Sequence, residues 1–442
     1  MQRFLLTVAA VLVAQLSFSQ TISGNAVDAD SQPIVGANVL IEGTFQGDFT
    51  DAKGEFLISK VKPGNYTIVI SHVGFETQKR EVEVKEEEDF KIYFHLYDSR
   101  YMADEVQVSA TRATAQTPMA QTNVNADELE KNNLGADMPY LLDMTPSVVV
   151  SSDAGNGIGY TGIRIRGSDP TRTNVTINGI PLNDTESQGV FWVDLPDFAT
   201  SVDNVQIQRG VGTSTNGAGA FGATVNLQTN KLHTQPYGLI SNSYGSFNSR
   251  KHTVAFGSGL IKNKFTFDGR LSKINSDGYI DRATADLKSF FISGAYLDAK
   301  NSFRVNVFSG KEITYQAWGG VPGELLETDR TFNPYTYENE VDDYLQNHYQ
   351  AHYTRDFGKG FNLNVALFYT HGEGFFEQFR EQDALEDYGL ENVTIGDSTI
   401  YTTDLIRRRW LDNDFYGGTF STNYDRGGKI SATLGGAISQ YK

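Results

Sequence analysis

The chain has 442 residues, with 37 Lys and Arg against 54 Asp and Glu, and its formal net charge is −17. This acidic balance disfavours nucleic acid as a partner, because phosphate binding needs clustered Lys and Arg. The absence of cysteine excludes disulfides, thiolate metal sites and cysteine nucleophiles. Hydrophobic residues make up 39% of a chain long enough for about three domains, so packed cores are expected.

The N-terminus indicates export. Arg3 precedes an apolar stretch, residues 4–14, that is interrupted only by Thr7, and small residues follow at Ser17 and Ser19. A stretch of about 11 residues is too short to span a bilayer, which takes ~20. We predict a signal peptide over residues 1–19, cleaved after Ser19; a buried N-terminal helix is the alternative. No later stretch of the sequence is apolar enough for a membrane helix, which leaves an exported soluble protein or a β-barrel.

Residues 20–98 predict a small β-sandwich. Short runs alternate apolar and polar residues between Asp-rich or Gly-rich turns, as at Ile68 and Ile70 and again at Ile92, Phe94 and Leu96. The segment resembles the carboxypeptidase regulatory-like domain through Gly36-Ala37-Asn38-Val39, Thr50-Asp51, Gly64-Asn65-Tyr66 and His72-Val73-Gly74-Phe75. The resemblance implies a seven-stranded sandwich without peptidase activity. The zinc spacings H-x-x-E and H-E-x-x-H occur nowhere in the sequence.

Residues 99–112 predict a polar linker that contains a segment suited to pair as a strand with another protein. An acidic pair precedes alternating valines in the run Asp104, Glu105, Val106, Gln107, Val108, Ser109, Ala110. Such a segment suits addition to the sheet edge of a partner. The run also resembles the TonB box of TonB-dependent outer-membrane receptors, which implies TonB as a periplasmic partner. A plain linker or a last sandwich strand is the alternative.

Residues 113–230 carry an ordered series of motifs. They are Leu141-Leu142-Asp143-Met144-Thr145-Pro146, Ile163-Arg164-Ile165-Arg166-Gly167, Val175-Thr176-Ile177-Asn178-Gly179-Ile180-Pro181-Leu182, Val205-Gln206-Ile207-Gln208-Arg209-Gly210 and the glycine-rich residues 217–226. In this order they resemble the α+β plug domain of TonB-dependent receptors. That resemblance implies that Arg166 and Arg209 form ion pairs with barrel glutamates; ion pairs within the plug are the alternative.

Two further features of this segment, a glycine pattern and a pair of aromatic residues, concern ligand binding. Gly217, Gly219 and Gly222 match a dinucleotide-binding fingerprint, but that chemistry needs a following helix, and residues 223–229 alternate as a strand. We therefore predict a tight glycine turn. Phe191 and Trp192 belong to plug loops, where they would face a ligand or simply pack.

Residues 235–442 predict the N-terminal part of an up-and-down outer-membrane β-barrel. We count about nine strands, near residues 237–244, 249–259, 264–274, 288–298, 301–313, 345–357, 361–373, 411–425 and 428–440. Short connections alternate with mostly long ones, as in outer-membrane barrels. Plugged transporters use about 22 strands, so the predicted fold is mainly β: a sandwich, an α+β plug and an incomplete antiparallel barrel in an N-terminal fragment of a longer receptor.

The strand over residues 345–357 predicts a polar lumenal face and an aromatic lipid face. His348 and His352 share the polar face. They would lie ~13 Å apart along an extended strand, too far to bind one ion. We predict neither a metal site nor a cofactor.

The resemblance implies a transporter and not an enzyme. Residues 188–194 and the glycine-rich plug ending look most like ferric-citrate and siderophore receptors of Bacteroidota-type bacteria, which predicts an iron chelate as ligand. Arg407, Arg408 and Arg409 would attract an anionic chelate; an ion-paired rim, or one that faces outer-membrane lipid or lipopolysaccharide, is the alternative. Import of cobalamin, glycan or peptide, or a signal-transducing or adhesion protein, are the competing functions.

Overall fold

The computed structural model describes residues 20–28, 31–44, 46–72, 75, 77–85, 89–96, 112–113, 117–211, 220–262, 264–298, 300–425 and 430–442. The chain divides into two compact units, residues 1–102 and 103–442. Within the described ranges, no helix is long and apolar enough to cross a membrane. The predicted signal peptide and the run over residues 104–110 lie outside the described residues.

The first unit is a sandwich of two sheets. A three-stranded sheet has the order β4-β1-β7 and a four-stranded sheet the order β3-β2-β5-β6. The strands are β1 (Gln20–Val27), β2 (Asn38–Ile41), β3 (Gly47–Phe49), β4 (Glu55–Val61), β5 (Gly64–Ser71), β6 (Gln78–Val84) and β7 (Phe90–His95). The residues that alternation assigned to the interior, among them Ile68, Ile70 and Phe94, are buried in one core. The sandwich prediction is confirmed.

The second unit begins with the plug segment. Its main sheet has the order β12-β11-β14-β13-β8, and β9 pairs with β10 in a separate ribbon. The elements are β8 (Ala120–Asn125), α1 (Ala126–Asn132), α2 (Met138–Leu141), β9 (Val148–Ser152), β10 (Thr161–Ile165), β11 (Thr173–Ile177), β12 (Ile180–Pro181), β13 (Asn204–Arg209) and β14 (Ala223–Gln228). Asn125 caps α1 reciprocally with Glu128. β14 is the strand that the alternation of residues 223–229 predicted. A dinucleotide-binding site would need a helix at this position.

Nine antiparallel strands of the described residues form one sheet in the order β15-β16-β17-β18-β19-β20-β21-β24-β25. They are β15 (Tyr237–Tyr244), β16 (Arg250–Gly257), β17 (Phe265–Ser276), β18 (Ala285–Leu297), β19 (Asn301–Tyr315), β20 (Val341–Gly358), β21 (Phe361–Ala384), β24 (Thr402–Asp425) and β25 (Ser431–Tyr441). The short strands β22 (Val393–Ile395) and β23 (Ser398–Ile400) form a hairpin between β21 and β24. The predicted number of strands is confirmed.

Strands β21 and β24 are longer than predicted. Each has 24 residues, whereas a tilted membrane crossing needs about 9–11. The two strands pair with each other almost to their ends, with one irregularity between Arg380 and Asp383. Residues 374–384 and 402–410, which the sequence assigned to a long loop, are therefore paired strand. The sequence pattern hid this, because these two segments do not alternate apolar and polar residues as the predicted strands do.

The two faces of the nine-stranded sheet differ sharply. We call the face that the plug covers the inner face; it buries polar side chains such as Arg304, Asn306 and His352. The outer face exposes large apolar side chains, among them Phe267, Leu271 and Ile292. Along β20 the alternation is as predicted, because His348, Gln350, His352 and Thr354 are buried while Tyr349 is exposed.

The plug approaches the inner face most closely at Gly310 in β19. A Cβ added there would stand 1.9 Å from the backbone oxygen of Asp194 and 2.8 Å from Cδ of Pro196. The aromatic rings of Phe291 and Phe308, also on the inner face, join the plug core through Phe198. Plug and sheet therefore share one packed interior, and glycine is needed where the two backbones meet.

Gly310→Ala should loosen this packing and lower the free energy of unfolding by at least about 1–3 kcal/mol, since overpacking a fixed backbone contact is costly. The measurement is urea unfolding in detergent, followed by intrinsic tryptophan fluorescence. Gly294→Ala is the matched control, because its Cβ would meet only the Phe267 ring on the outer face at 3.4 Å. Equal midpoints for the two variants would contradict the close approach.

Candidate functional site

A buried charge cluster joins the plug to the inner face of the sheet. The carboxylate of Asp197, in the plug, lies 2.7 Å from Nζ of Lys251 in β16 and 3.5 Å from Nη1 of Arg270 in β17. Thr253 and Ser272 each donate a hydroxyl hydrogen bond to Asp197 Oδ2 at 2.6 Å. The three charged side chains are almost completely buried, so the cluster is a fixed connection between the two parts.

Local backbone geometry presents Asp197 to its partners. The residue has φ of +52° at the start of a short 3₁₀ turn, Phe198–Ser201. Aspartate and asparagine tolerate this left-handed conformation better than most residues. Burial alone would raise the pKa of Asp197, but the charges of Arg270 and Lys251 and the hydrogen bonds that it accepts lower the pKa below its ordinary value. The carboxylate is therefore ionised.

A second polar contact lies between Tyr160 of the plug and two acids of the sheet. The Tyr160 hydroxyl donates to Asp342 in β20 and lies 3.3 Å from Oε1 of Glu312 in β19. Burial, together with the charges of Glu312 and Asp342, raises the pKa of Tyr160 well above its ordinary value. Burial and the charge of Asp342 likewise raise the pKa of Asp194. Tyr160 therefore remains a neutral donor that the sheet holds in place.

Aromatic rings extend from Tyr160 away from the plug. The ring of Trp318, in the segment between β19 and β20, meets Tyr160 edge-on at 5.4 Å between centroids. Trp318 meets Phe376 of β21 at 5.6 Å, and Phe191 meets Tyr160 at 6.4 Å. We call these four residues the aromatic row; its ring contacts link the plug, the segment between β19 and β20, and the sheet.

The three consecutive arginines of β24 separate onto two faces. Residues directly opposite across a strand pair share a face; Arg409 is opposite Phe376, which is in turn opposite the buried Asp342. Arg409 and Arg407 therefore lie on the inner face. Arg409 stands 5.7 Å from the Phe376 ring, beside the aromatic row. Arg407 donates to Gln378 at 2.6 Å, and its Nε is buried without a hydrogen-bond partner among the described residues.

Arg408 lies on the outer face and is ion-paired. Its partner is Glu377, which also accepts hydrogen bonds from Tyr337 at 2.8 Å and Asn339 at 2.7 Å. The Arg408 guanidinium also stacks over the Phe375 ring at 4.4 Å. Arg408 thus anchors the segment between β19 and β20. Of the three arginines, only Arg407 and Arg409 lie on the inner face.

Phe191 and Trp192, which the sequence treated alike, have different surroundings. Phe191 is 45% exposed, whereas Trp192 is 3% exposed in the plug core. Arg166 is exposed, with φ of +53°. Arg209 donates to Thr122 at 3.0 Å and to the carbonyl oxygen of Pro146 at 3.2 Å. Within the described ranges neither arginine forms an ion pair, and their pairing with barrel glutamates stays a prediction.

Sequence reasoning missed Asp197, Lys251, Arg270 and Tyr160. One signal was available: in β16 and β17, Lys251 and Arg270 fall on the alternating positions that face inward with Thr253 and Ser272. A buried cation requires an opposite charge, so an acidic partner in the plug was implied. Its identity was not, because Asp197 is more than 50 residues away in sequence.

Asp197→Asn should destabilise the contact between plug and sheet. The substitution tolerates the left-handed backbone but leaves Lys251 and Arg270 buried without their counter-charge, a loss worth about 3–5 kcal/mol. The measurement is the urea midpoint in detergent, followed by intrinsic tryptophan fluorescence. Asp383→Asn, at the half-exposed pair with Arg380, is the control and should change little. If both variants unfold at the wild-type midpoint, the cluster does not hold the plug.

Two protein families match parts of the chain. Residues 22–108 match the CarboxypepD_reg-like domain, and residues 113–224 match the TonB-dependent Receptor Plug Domain. Among curated proteins, the chain is similar to the TonB-dependent receptor SusC of Bacteroides thetaiotaomicron, at 27% identity over 194 residues, 42% of this chain and 18% of that protein. It is also similar to the Ferrienterobactin receptor of Escherichia coli K12, at 25% identity over 193 residues, 40% of this chain and 26% of that protein.

Solved structures share the fold. The ferric-catecholate import receptor Fiu of E. coli K12 superposes with a TM-score of 0.57 at 15% identity, covering 76% of this chain and 51% of that one. The ferric enterobactin receptor PfeA of Pseudomonas aeruginosa gives a TM-score of 0.54 at 14% identity, covering 77% and 50%. The chain thus spans about half the length of these receptors. Residues 113–224 therefore carry a TonB-dependent receptor plug domain, a CarboxypepD_reg-like domain precedes it over residues 22–108, and the chain shares the fold of these receptors.

Proposed function

We propose that the receptor to which this chain belongs lies in the outer membrane and imports a scarce solute, in first place a ferric chelate or siderophore. It is a transporter and makes or breaks no covalent bond. The observation that carries the proposal is the plug domain packed on the inner face of the sheet, with the aromatic row, Arg407 and Arg409 beside it. The similarity to the Ferrienterobactin receptor of Escherichia coli K12 supports the iron ligand.

The geometry suits capture of an anion above the plug. Arg407 and Arg409 face inward near the end of β24 that follows the longer connection. Arginine binds carboxylates and similar planar anions through two parallel hydrogen bonds. Phe191 and Trp318 supply aromatic surface to the same region. A ferric chelate with anionic oxygen groups matches this combination of charge and rings.

Import requires a link from the bound solute to an energy source on the other side. The run over residues 104–110 would add as a strand to TonB, which then pulls on the plug. Binding of the solute must favour the plug conformation in which this run is available. Tyr160 is placed to pass on that preference, because it touches Phe191 and Trp318 on one side and two acids of the sheet on the other.

Import of cobalamin, a glycan or a peptide by the same machinery is the competing proposal. Uptake by cells that carry the complete receptor separates the candidates when ferric citrate, a catecholate siderophore, cobalamin and oligosaccharides are supplied in turn. Uptake of an iron chelate alone supports the first proposal. Uptake of oligosaccharide alone overturns it and leaves the transporter class intact.

Val106→Pro should abolish uptake while leaving binding at the cell surface unchanged. Proline lacks the N–H group that an added strand needs. The measurement is accumulation of labelled ferric chelate at 37 °C compared with binding at 0 °C. Tyr101→Pro, outside the run, is the control and should import normally. Normal uptake by the Val106→Pro receptor would contradict a role of this run in TonB pairing.

Arg407→Gln combined with Arg409→Gln should weaken binding of an anionic chelate by about 10- to 100-fold, the usual range for losing hydrogen bonds between charged groups. The equilibrium dissociation constant is measured with ferric citrate or a ferric siderophore. Arg330→Gln, an exposed residue of the segment between β19 and β20, is the control. Unchanged affinity in the double variant would place the ligand elsewhere.

A further inference from the structure

A small polar cleft lies between the plug and the inner face of the sheet. Its plug wall comes from residues 181–194 and includes Asp184, Phe191 and Asp194. Its sheet wall comes from β20, β21, β24 and β25 and is formed by Gln346, His348, Thr370, Asn413, Phe415 and Tyr441. The cleft has a volume of about 40 Å³. Since one water molecule needs about 10–15 Å³, the cleft admits a group of about three non-hydrogen atoms.

Asp194 is a buried acid of this cleft that lacks a counter-charge. Its side chain is 3% exposed, and its Oδ1 has no hydrogen-bond partner among the described residues. No lysine or arginine is among the ionisable groups that interact with its charge, which are Tyr160, Asp184, Glu312, Asp342 and Tyr344. Burial and the charges of Asp342 and Asp184 raise the pKa of Asp194 well above its ordinary value. The carboxyl group therefore holds its proton more strongly than an ordinary aspartate does.

The other walls of the cleft suit a cation better than an anion. Asp184 adds a second carboxylate, and no lysine or arginine lines the cleft. The rings of Phe191, Phe415 and Tyr441 also line it. Aromatic rings attract ammonium groups through the negative charge on their faces. Carboxylates and rings together are the surroundings in which proteins bind organic cations.

Spacing and size favour a primary ammonium group over other cations. Among the described residues, no three His, Cys, Asp or Glu side chains are arranged to hold a metal ion. His348 is already hydrogen-bonded at both ring nitrogens, to Gln346 and Thr370. A primary ammonium group has three N–H donors, and the amide of Asn413 adds an oxygen acceptor beside the carboxylates. A trimethylammonium group has more atoms than the volume of the cleft admits.

We infer that the cleft binds the primary ammonium group of a solute, with Asp194 as its counter-charge and three aromatic rings around it. The ammonium group replaces the proton of Asp194, which passes to the solvent, so the buried carboxylate gains the opposite charge that it needs. Phe191 also belongs to the aromatic row, so the cleft adjoins the region proposed for capture. The inference rests on the proposed function in one respect, that the amine belongs to the imported solute.

The test titrates the full chain in detergent with n-propylammonium, 1-propanol and propyltrimethylammonium, and measures binding by isothermal titration calorimetry. A buffer with about 0.15 M KCl screens the exposed acids. n-Propylammonium should bind at least about tenfold more tightly than 1-propanol, since hydrogen bonds to charged groups contribute more than those between neutral groups. It should also bind more tightly than propyltrimethylammonium, which is too large for the cleft.

Asp194→Asn should abolish the preference for n-propylammonium. Asp143→Asn is the matched control, because Asp143 is an exposed acid of the plug that does not line the cleft; it should bind as the wild type does. If Asp194→Asn does not fold, the wild type remains decisive, because release of a proton makes the heat of binding differ between phosphate and Tris buffers.

Equal affinity for n-propylammonium and 1-propanol, equal loss in both variants, or binding without release of a proton would overturn the inference. Neither iron nor TonB takes part in this titration. Failed uptake of ferric chelates would therefore overturn the proposed function and leave this result standing, whereas loss of amine binding alone would leave import of a ferric chelate standing.

Discussion

The second unit depends on one requirement: a charge removed from water between plug and sheet must meet an opposite charge. Lys251 and Arg270 point inward from two neighbouring strands, and Asp197 of the plug forms an ion pair with each of them. Because removing one partner of such a pair leaves an uncompensated buried charge, the cluster fixes where the plug sits on the sheet. The close approach at Gly310 and the Tyr160 contact then follow as consequences of that position.

The faces of the sheet explain why its strands were predictable. The inner face meets polar plug groups, and the outer face exposes large apolar side chains, so each strand alternates strongly in sequence. His348 and Tyr349, adjacent on β20, lie on opposite faces for this reason. The nine strands were therefore predicted from the sequence with small errors at their ends. The exceptions are β21 and β24, whose outer halves pair where no apolar face is required.

The site was harder to predict than the fold. Resemblance to a family led to Arg166 and Arg209, whereas the ion cluster that the structure contains involves Asp197, Lys251 and Arg270. Alternation along a strand predicts that Lys251 points inward. It does not identify the ion-pair partner, because Asp197 comes from a distant segment of the sequence. The three adjacent arginines of β24 show the same limit: only cross-strand register separates Arg408 from Arg407 and Arg409.

Two groups of cations on the same sheet have opposite surroundings. Lys251 and Arg270 are buried and both pair with Asp197, whose carboxylate also accepts hydrogen bonds from the hydroxyl groups of Thr253 and Ser272. Lys273, Lys288 and Lys311 are aligned on the outer face, where their two acidic partners do not balance the local charge. A sheet keeps like charges in register only at a cost, which a satisfied inner cluster avoids. In the outer group Asp286 and Asp343 pair with Lys273 and Lys311, so among the described residues Lys288 is the one of the three lysines without an ion pair.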